Sequence, residues 1–376
     1  MIRIGLLTYY RSNYGAALQA YALKEFIESA YKNIKVYTID YYKNRSYHIF
    51  EAKSNSYVKR LVKYGFILLH YFDIRRRNKR HVSFNQKFLE QERYDFSTDG
   101  NFKLLPEYDL YLTGSDQVFN IKNNSYKLLF FQQFSRKGIH AAYAPSFGQS
   151  VFSDEEKSSI RNLTKSFDFL SCRENDGAEM LSLIHGKKVQ CVIDPTLLLM
   201  PEQWNKMMVT PKSNNKYLLV YDLNGGISML NIAKKVALEK GLKIFCITRH
   251  PDMSFIYKGI DKVIFDAGPR EFVGYFSKAS YVITDSFHGT AFSINFRKPF
   301  NTFIALPKAA QRIESLLRVC DLLNRIVPEV GNADTSEDCF STFDNKSFDE
   351  YRNLSISFLT DIISKLNEGA QSTISE

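Results

Sequence analysis

The feature that most constrains this chain is an alternation of short apolar runs with amphipathic stretches, met twice in succession. The first round opens with an apolar run at 2–8 and a polar loop, YYRSNYG, at 9–15. A helix is expected over 16–29, with Leu18, Tyr21, Ala22, Phe26 and Ile27 on one face, and then a strand over 35–40. Further strands are expected at 108–113, 139–144, 167–172 and 188–193. After the polar stretch Lys212–Lys216, which reads as a linker, the pattern restarts with a strand at 217–222 and a Gly225-Gly226 loop. A helix over 227–239 is closed by Gly241, and strands follow at 243–248, 262–265, 281–284 and 300–304. Runs this uniformly apolar suit parallel strands buried on both faces, with the helices as crossovers. At 376 residues the chain is also long for one core. The expectation is an α/β protein of two Rossmann-like domains facing a central cleft. The first spans 1–211 and carries a basic helical insert at 43–93; the second spans 216–345. An amphipathic helix within 346–376 packs back on the first domain.

Charge is unevenly placed. Of a net charge of +10, an excess of nine falls between Lys43 and Arg93, where thirteen Lys/Arg meet four Asp/Glu. Within it lie LVKYGFILLHYF at 61–72 and RRRNKR at 75–80. The apolar stretch is shorter than the roughly 18 residues needed to span a bilayer. Two readings stand: a helical pair over the first domain with a solvated basic edge, or peripheral membrane association through 59–80 on anionic lipid. No nucleic-acid-binding motif is present, and none is expected as a partner. The five cysteines are dispersed without a CxxC pair, which suits a reducing compartment. The N-terminus runs straight into a strand, so a cytoplasmic location is expected, with the inner face of the cytoplasmic membrane as the alternative.

The candidate chemistry gathers where strands end. YVITDSFHGTAFSINF, at 281–296, reads as a strand, then Asp285 and Ser286, then His288, with a helix expected from about Ala291. A His at such a turn is either a structural core residue or a group facing the crevice, close to N–H groups that attract anions. Arg173, after the strand at 167–172, is either a salt-bridging Arg or a bidentate clamp for phosphate or carboxylate. Ser115 or Asp116 caps the next helix, or contacts an acceptor sugar. Arg11 and Asn13 lie in the first loop, and Ser153 with Glu156 forms a capping box. Asp116, Asp194 and Asp285 are isolated, without a DxD pair, so no metal site is expected.

Six segments in order carry a family resemblance: RSNYGAALQAYAL from 11, GSDQVFN at 114–120, YAPSFG at 143–148, CREND at 172–176, DPTLLL at 194–199 and ITDSFHGTAFS at 283–293. Together they resemble the polysaccharide pyruvyl transferase family over nearly the whole chain. The resemblance implies a GT-B-like fold and transfer of a pyruvyl group from phosphoenolpyruvate to sugar hydroxyls, giving a pyruvate ketal. It implies no cofactor beyond phosphoenolpyruvate as co-substrate, and an acceptor that is a sugar or a polyprenyl-linked oligosaccharide. By the same resemblance His288 and Arg173 are the catalytic pair. The donor side comprises them with Gly289, Ser286, Lys308 and Arg312. The acceptor side comprises Arg11, Asn13, Tyr14, Ser115, Asp116, Gln117 and Tyr143. Many relatives carry Arg where this chain has Ser286, so Lys308 or Arg312 is expected to supply that charge. The competing readings are a glycosyltransferase using a sugar nucleotide and an inactive scaffold in a polysaccharide assembly complex. The former calls for paired Glu residues in the second domain, which are not found.

Overall fold

The computed structural model describes residues 1–11, 13–42, 64–94, 102, 105–122, 125–134, 137–224, 226–304, 307–327 and 345–372, with side chains at all of these but 252, 255, 307–309 and 369–372. Ser12, Gly225 and the whole 43–63 stretch lie outside the described residues. The chain divides into two compact units. One comprises Met1–Arg45, Asn85–Leu199 and Asn345–Glu376; the other comprises Ser46–Phe84 and Met200–Asp344.

In chain order the first unit is built on β1 (Ile2–Leu7), α1 (Tyr14–Ala30), β2 (Ile34–Asp40), the end of α2 (Tyr71–Phe88), and β3 (Gln91–Arg93). β4 (Leu110–Thr113), α3 (Lys127–Phe130), β5 (Ile139–Ala142), α4 (Asp154–Thr164), β6 (Phe169–Cys172), α5 (Asn175–His185) and β7 (Gln190–Cys191) follow. The sheet order is β3-β2-β1-β4-β5-β6-β7, and every pairing is parallel. Ile4 sits opposite Val36 on one side and Leu110 on the other, all fully buried, which is why these strands read as unbroken apolar runs. Ser153 and Glu156 form their capping box at the start of α4.

The second unit continues with α6 (Pro201–Asn205), β8 (Tyr217–Asp222), α7 (Ile227–Lys240), β9 (Lys243–Thr248), β10 (Lys262–Ile264), α8 (Pro269–Lys278) and β11 (Tyr281–Thr284). It is completed by α9 (Phe287–Asn295), β12 (Phe300–Phe303), α10 (Pro307–Val319) and β13 (Ile326–Val327). Its parallel sheet runs β10-β9-β8-β11-β12-β13 over a core that includes Leu218, Val220, Leu230, Ala233, Cys246 and Ile283. Gly241 closes α7 at φ 62°, a left-handed conformation that glycine adopts without Cβ strain. The terminal helix, α11 (Asn345–Ser372), groups with the first unit, where Arg352 donates to the carbonyls of Leu197 and Leu198.

The basic stretch is divided differently from the expected insert. Its described part up to Phe84 groups with the second unit, not with the first. The reason is ionic and aromatic: Arg76 and Arg80 both reach Asp266 at 3.0 Å, and Arg80 reaches Glu271 at 3.3 Å. The His70 ring lies 4.2 Å from that of Phe265.

Each sheet changes winding direction at one place, between β1 and β4 in the first and between β8 and β11 in the second. Ligands of open α/β sheets bind at the carboxyl ends of the strands flanking such a switch. The fold therefore singles out two places, one per unit.

Candidate active site

In the second unit the switch is closed by Asp285, the residue after β11. Its carboxylate accepts from the backbone N–H of Leu223 at 2.9 Å and of Asn224 at 3.0 Å, and from the Asn224 side chain at 2.7 Å, all in the loop after β8. Burial pushes this carboxyl above its ordinary pKa, opposed by those N–H donors. Neighbouring Asp222 is fully buried and accepts from Tyr257 Oη at 2.6 Å. His250 lies 2.6 Å from the Leu223 carbonyl, so three strand ends are tied together.

α9 starts at Phe287, four residues before the sequence suggests. Ser286 is its N-cap, with its hydroxyl accepting from Gly289 N–H, and Thr290 closes back on the Ser286 carbonyl at 2.9 Å. This early start is possible because residue 289 has no Cβ: one placed there would overlap the Thr284 side chain. His288 thus occupies the first helical turn, beside the β8/β11 switch, instead of a preceding loop. It is 7% exposed, with its ring edge-on to Phe287 at 5.3 Å. Ser286 thus serves as the helix cap. α9 packs against α10, which carries Lys308 and the half-buried Arg312. The Lys308 side chain lies outside the described residues.

In the first unit Arg173 follows β6 and is 4% exposed. Its Nη1 donates to Asp194 at 2.8 Å and to Ser115 Oγ at 3.2 Å, and its Nε to Glu174 at 3.2 Å. Burial opposes its charge, but Glu174, then Asp194 and Asp116, more than offset that, so the guanidinium stays protonated. Asp194 is a full participant: its other oxygen accepts from Thr196 N–H at 3.0 Å and Thr196 Oγ1 at 2.7 Å. Of the two readings of Arg173, the structure holds the salt-bridged one. To clamp a donor, this Arg would exchange a partner.

Ser115, Asp116 and Gln117 meet this network at the end of β4. Asp116 caps the 3-10 turn at 117–119 by accepting from Gln117 N–H at 2.8 Å, and its backbone bridges to Pro145. It does so at φ 73° and ψ −176°, a region otherwise left to glycine, and Ala144 on the adjoining loop has φ 55°. Two strained non-glycine residues at neighbouring strand ends are a feature that sequence periodicity does not signal. Gln117 packs on Gly148, itself at φ 68°.

The remaining candidates separate. Asn13 caps α1 through Gly15 N–H at 3.0 Å. Arg11 pairs with Asp40 at 2.6 Å and lies 4.3 Å over the Tyr42 ring. Tyr14 and Tyr143 are fully buried. Tyr143 donates to the Ile193 carbonyl at 3.1 Å and faces Phe358, while burial pushes its phenol up, so it is a core residue and not a surface contact. What the sequence reading missed is an aromatic group at the ends of β1 and β2. Tyr42 stacks on Tyr41 at 4.5 Å and meets Tyr126 at 5.7 Å, and Tyr9 meets Phe130 at 4.9 Å. Tyr9, Tyr42 and Tyr126 are only half-buried. The tyrosines of YYKN and YYRSN are visible in the sequence, but their convergence is not. Among the described residues no group of three or more His, Cys, Asp or Glu is arranged to hold a metal ion.

Comparison with solved structures shows a shared fold. A candidate UDP-N-acetylglucosamine 2-epimerase from Listeria monocytogenes superposes with a TM-score of 0.51 at 11% identity, over 93% of this chain and 90% of that one. The UDP-GlcNAc 2-epimerase from Neisseria meningitidis gives 0.49 at 11% identity over 97% and 100%, and the E. coli heptosyltransferase WaaC with ADP gives 0.40 at 10% over 82% and 89%. The fold is α/β, with two Rossmann-like units of the GT-B kind. No curated protein matches the chain. The family model for polysaccharide pyruvyl transferases matches residues 13–304, a span that takes in Asn13, the Arg173–Asp194 network and the His288 turn, and the chain belongs to that family.

Proposed function

We propose that this transferase moves the pyruvyl group of phosphoenolpyruvate onto two hydroxyls of one sugar, in a surface polysaccharide or its precursor, as a cyclic ketal. The observation that carries this reading is a His in the first turn of a helix at a sheet switch point, in a chain matched by the family from 13 to 304. First-turn N–H groups favour the anionic donor, and imidazole ordinarily titrates close to neutral pH.

The chemistry balances without a further reactant. A proton is added to the enol methylene, which becomes a methyl group and leaves the adjoining carbon electrophilic. One sugar hydroxyl attacks that carbon and gives up its proton. The carbon–oxygen bond to phosphate then breaks, and a second hydroxyl closes the ring, its proton leaving with phosphate. His288 is the proposed acid and base for these transfers. Lys308 and Arg312 are proposed to offset donor charge, and Arg173 to bind the donor by exchanging one carboxylate partner. The acceptor is proposed to lie on the first unit, with its ring on Tyr9, Tyr42 and Tyr126 and hydroxyls toward Asp116.

The test is calorimetric titration of phosphoenolpyruvate, and separately of sugar nucleotides, into the purified protein. Phosphoenolpyruvate binding weakened at least tenfold in Arg173→Ala or in Lys308→Ala with Arg312→Ala supports the donor assignment. Binding of a sugar nucleotide alone would replace it with glycosyl transfer.

A further inference from the structure

The start of α2 and the helical segment at 64–69 that leads into it carry apolar side chains that no part of this chemistry uses. Leu68, Leu69 and Phe72 are 75%, 76% and 73% exposed, and Tyr64 and Tyr71 are exposed beside them. Single exposed apolar residues are ordinary, but five within nine positions are not. The opposite face is seated on the protein: Ile67 packs with Ile74, and Arg77, His81 and Phe84 are buried.

The structure also divides the basic run. Arg76 and Arg80 are bound to Asp266, and Arg77 is buried, so these three hold the helix in place. Arg75 and Lys79 face outward. Residues 68, 72, 75 and 79 fall on one helical ridge, so Leu68 and Phe72 are followed along it by two outward cations. The acid nearest the ridge, Asp73, is already engaged by Arg76 and His70, each at 3.5 Å.

We propose that this ridge seats the second unit on an anionic lipid bilayer. Leu68, Leu69 and Phe72 enter the acyl boundary, and Arg75 and Lys79 lie in the headgroup layer. No helix among the described residues is long and apolar enough to cross a membrane, so the contact is interfacial. Charge favours lipid over a second copy, because a copy of this ridge offers cations to cations and one acid already bonded. Such seating would suit an acceptor carried on lipid, although the proposal does not depend on the ketal chemistry.

Sedimentation of the full chain with vesicles tests it without any reading of turnover. Binding is expected to phosphatidylcholine vesicles containing phosphatidylglycerol, to fall with added salt, and to be weak on phosphatidylcholine alone. Arg75→Glu with Lys79→Glu, and separately Leu68→Ser with Leu69→Ser and Phe72→Ser, should each lower partitioning at least tenfold. All five side chains are exposed, so circular dichroism should stay unchanged. Equal binding to both vesicle types, or undiminished binding by either variant, would overturn the proposal. So would absence of vesicle binding together with a dimer that the triple variant dissociates, which would assign the ridge to a second copy.

Discussion

At the scale of the residue, His288 and Gly289 separate chemistry from architecture. His288→Ala removes a ring from a first helical turn whose cap, Ser286, is untouched. Phosphate release from phosphoenolpyruvate should fall by about two to four orders of magnitude, the usual worth of a general acid–base. The fold should survive, and a near-normal rate in the variant would remove His288 from the mechanism. Gly289→Ala asks the reverse question. Its Cβ would press on Thr284, in the strand that feeds the helix, so urea denaturation should show a loss of about 1–3 kcal/mol. The glycine of the His-Gly pair is explained by packing before any contact with a donor.

At the scale of the element, the ends of β4, β6 and β7 are joined through one buried guanidinium. Asp194→Asn keeps the oxygen that caps Thr196 but removes the charge opposite Arg173. Glu174 still pairs with the guanidinium, so equilibrium unfolding should show a loss of about 1–3 kcal/mol, short of the about 3–5 kcal/mol of a fully unpaired buried charge. Replacing both, as Arg173→Met with Asp194→Leu, removes the pair but leaves Glu174 without its guanidinium and Thr196 without its cap, so it should cost more than Asp194→Asn alone. If the double variant were the more stable, Glu174 and the Thr196 cap would contribute nothing to the network. Sequence position left Arg173 open between salt bridge and clamp, because a strand end specifies neither Asp194, 21 residues on, nor Ser115, 58 residues back.

At the scale of the whole molecule, α2 couples the basic stretch to folding. Burial first, then Arg249 and Arg77, push the His81 pKa down from 6.5 to about 3. Below pH 6.5 the unfolded chain takes up a proton that the folded chain refuses. Stability is therefore unaffected by this group above about 6.5 and falls below it, by up to about 1.4 kcal/mol per pH unit. His81→Leu should flatten that part of the stability profile between pH 6.5 and 5, as read by urea midpoints. An unchanged slope would mean that His81 already titrates in the folded protein.

The apolar runs determined the central strands of the two parallel sheets, because a strand covered on both faces must be apolar throughout, and β8, β9 and β11 begin and end where the runs do, whereas the edge strands β3 and β13 lie outside the runs. Local chemistry likewise determined the Ser153 cap and the Gly241 helix end, each a matter of a few adjacent residues. Tertiary structure decided the rest. It moved the start of α9 to Phe287 through the fit of Gly289 on Thr284, buried Tyr143 in the core, and brought three half-buried tyrosines together near Arg11. It also split RRRNKR into residues that anchor and residues that face outward, since a run of like charges in sequence says nothing of which carboxylates, such as Asp266, lie opposite. Period and propensity act over one turn or one strand, whereas a site is made of side chains that only a closed sheet brings within bonding distance.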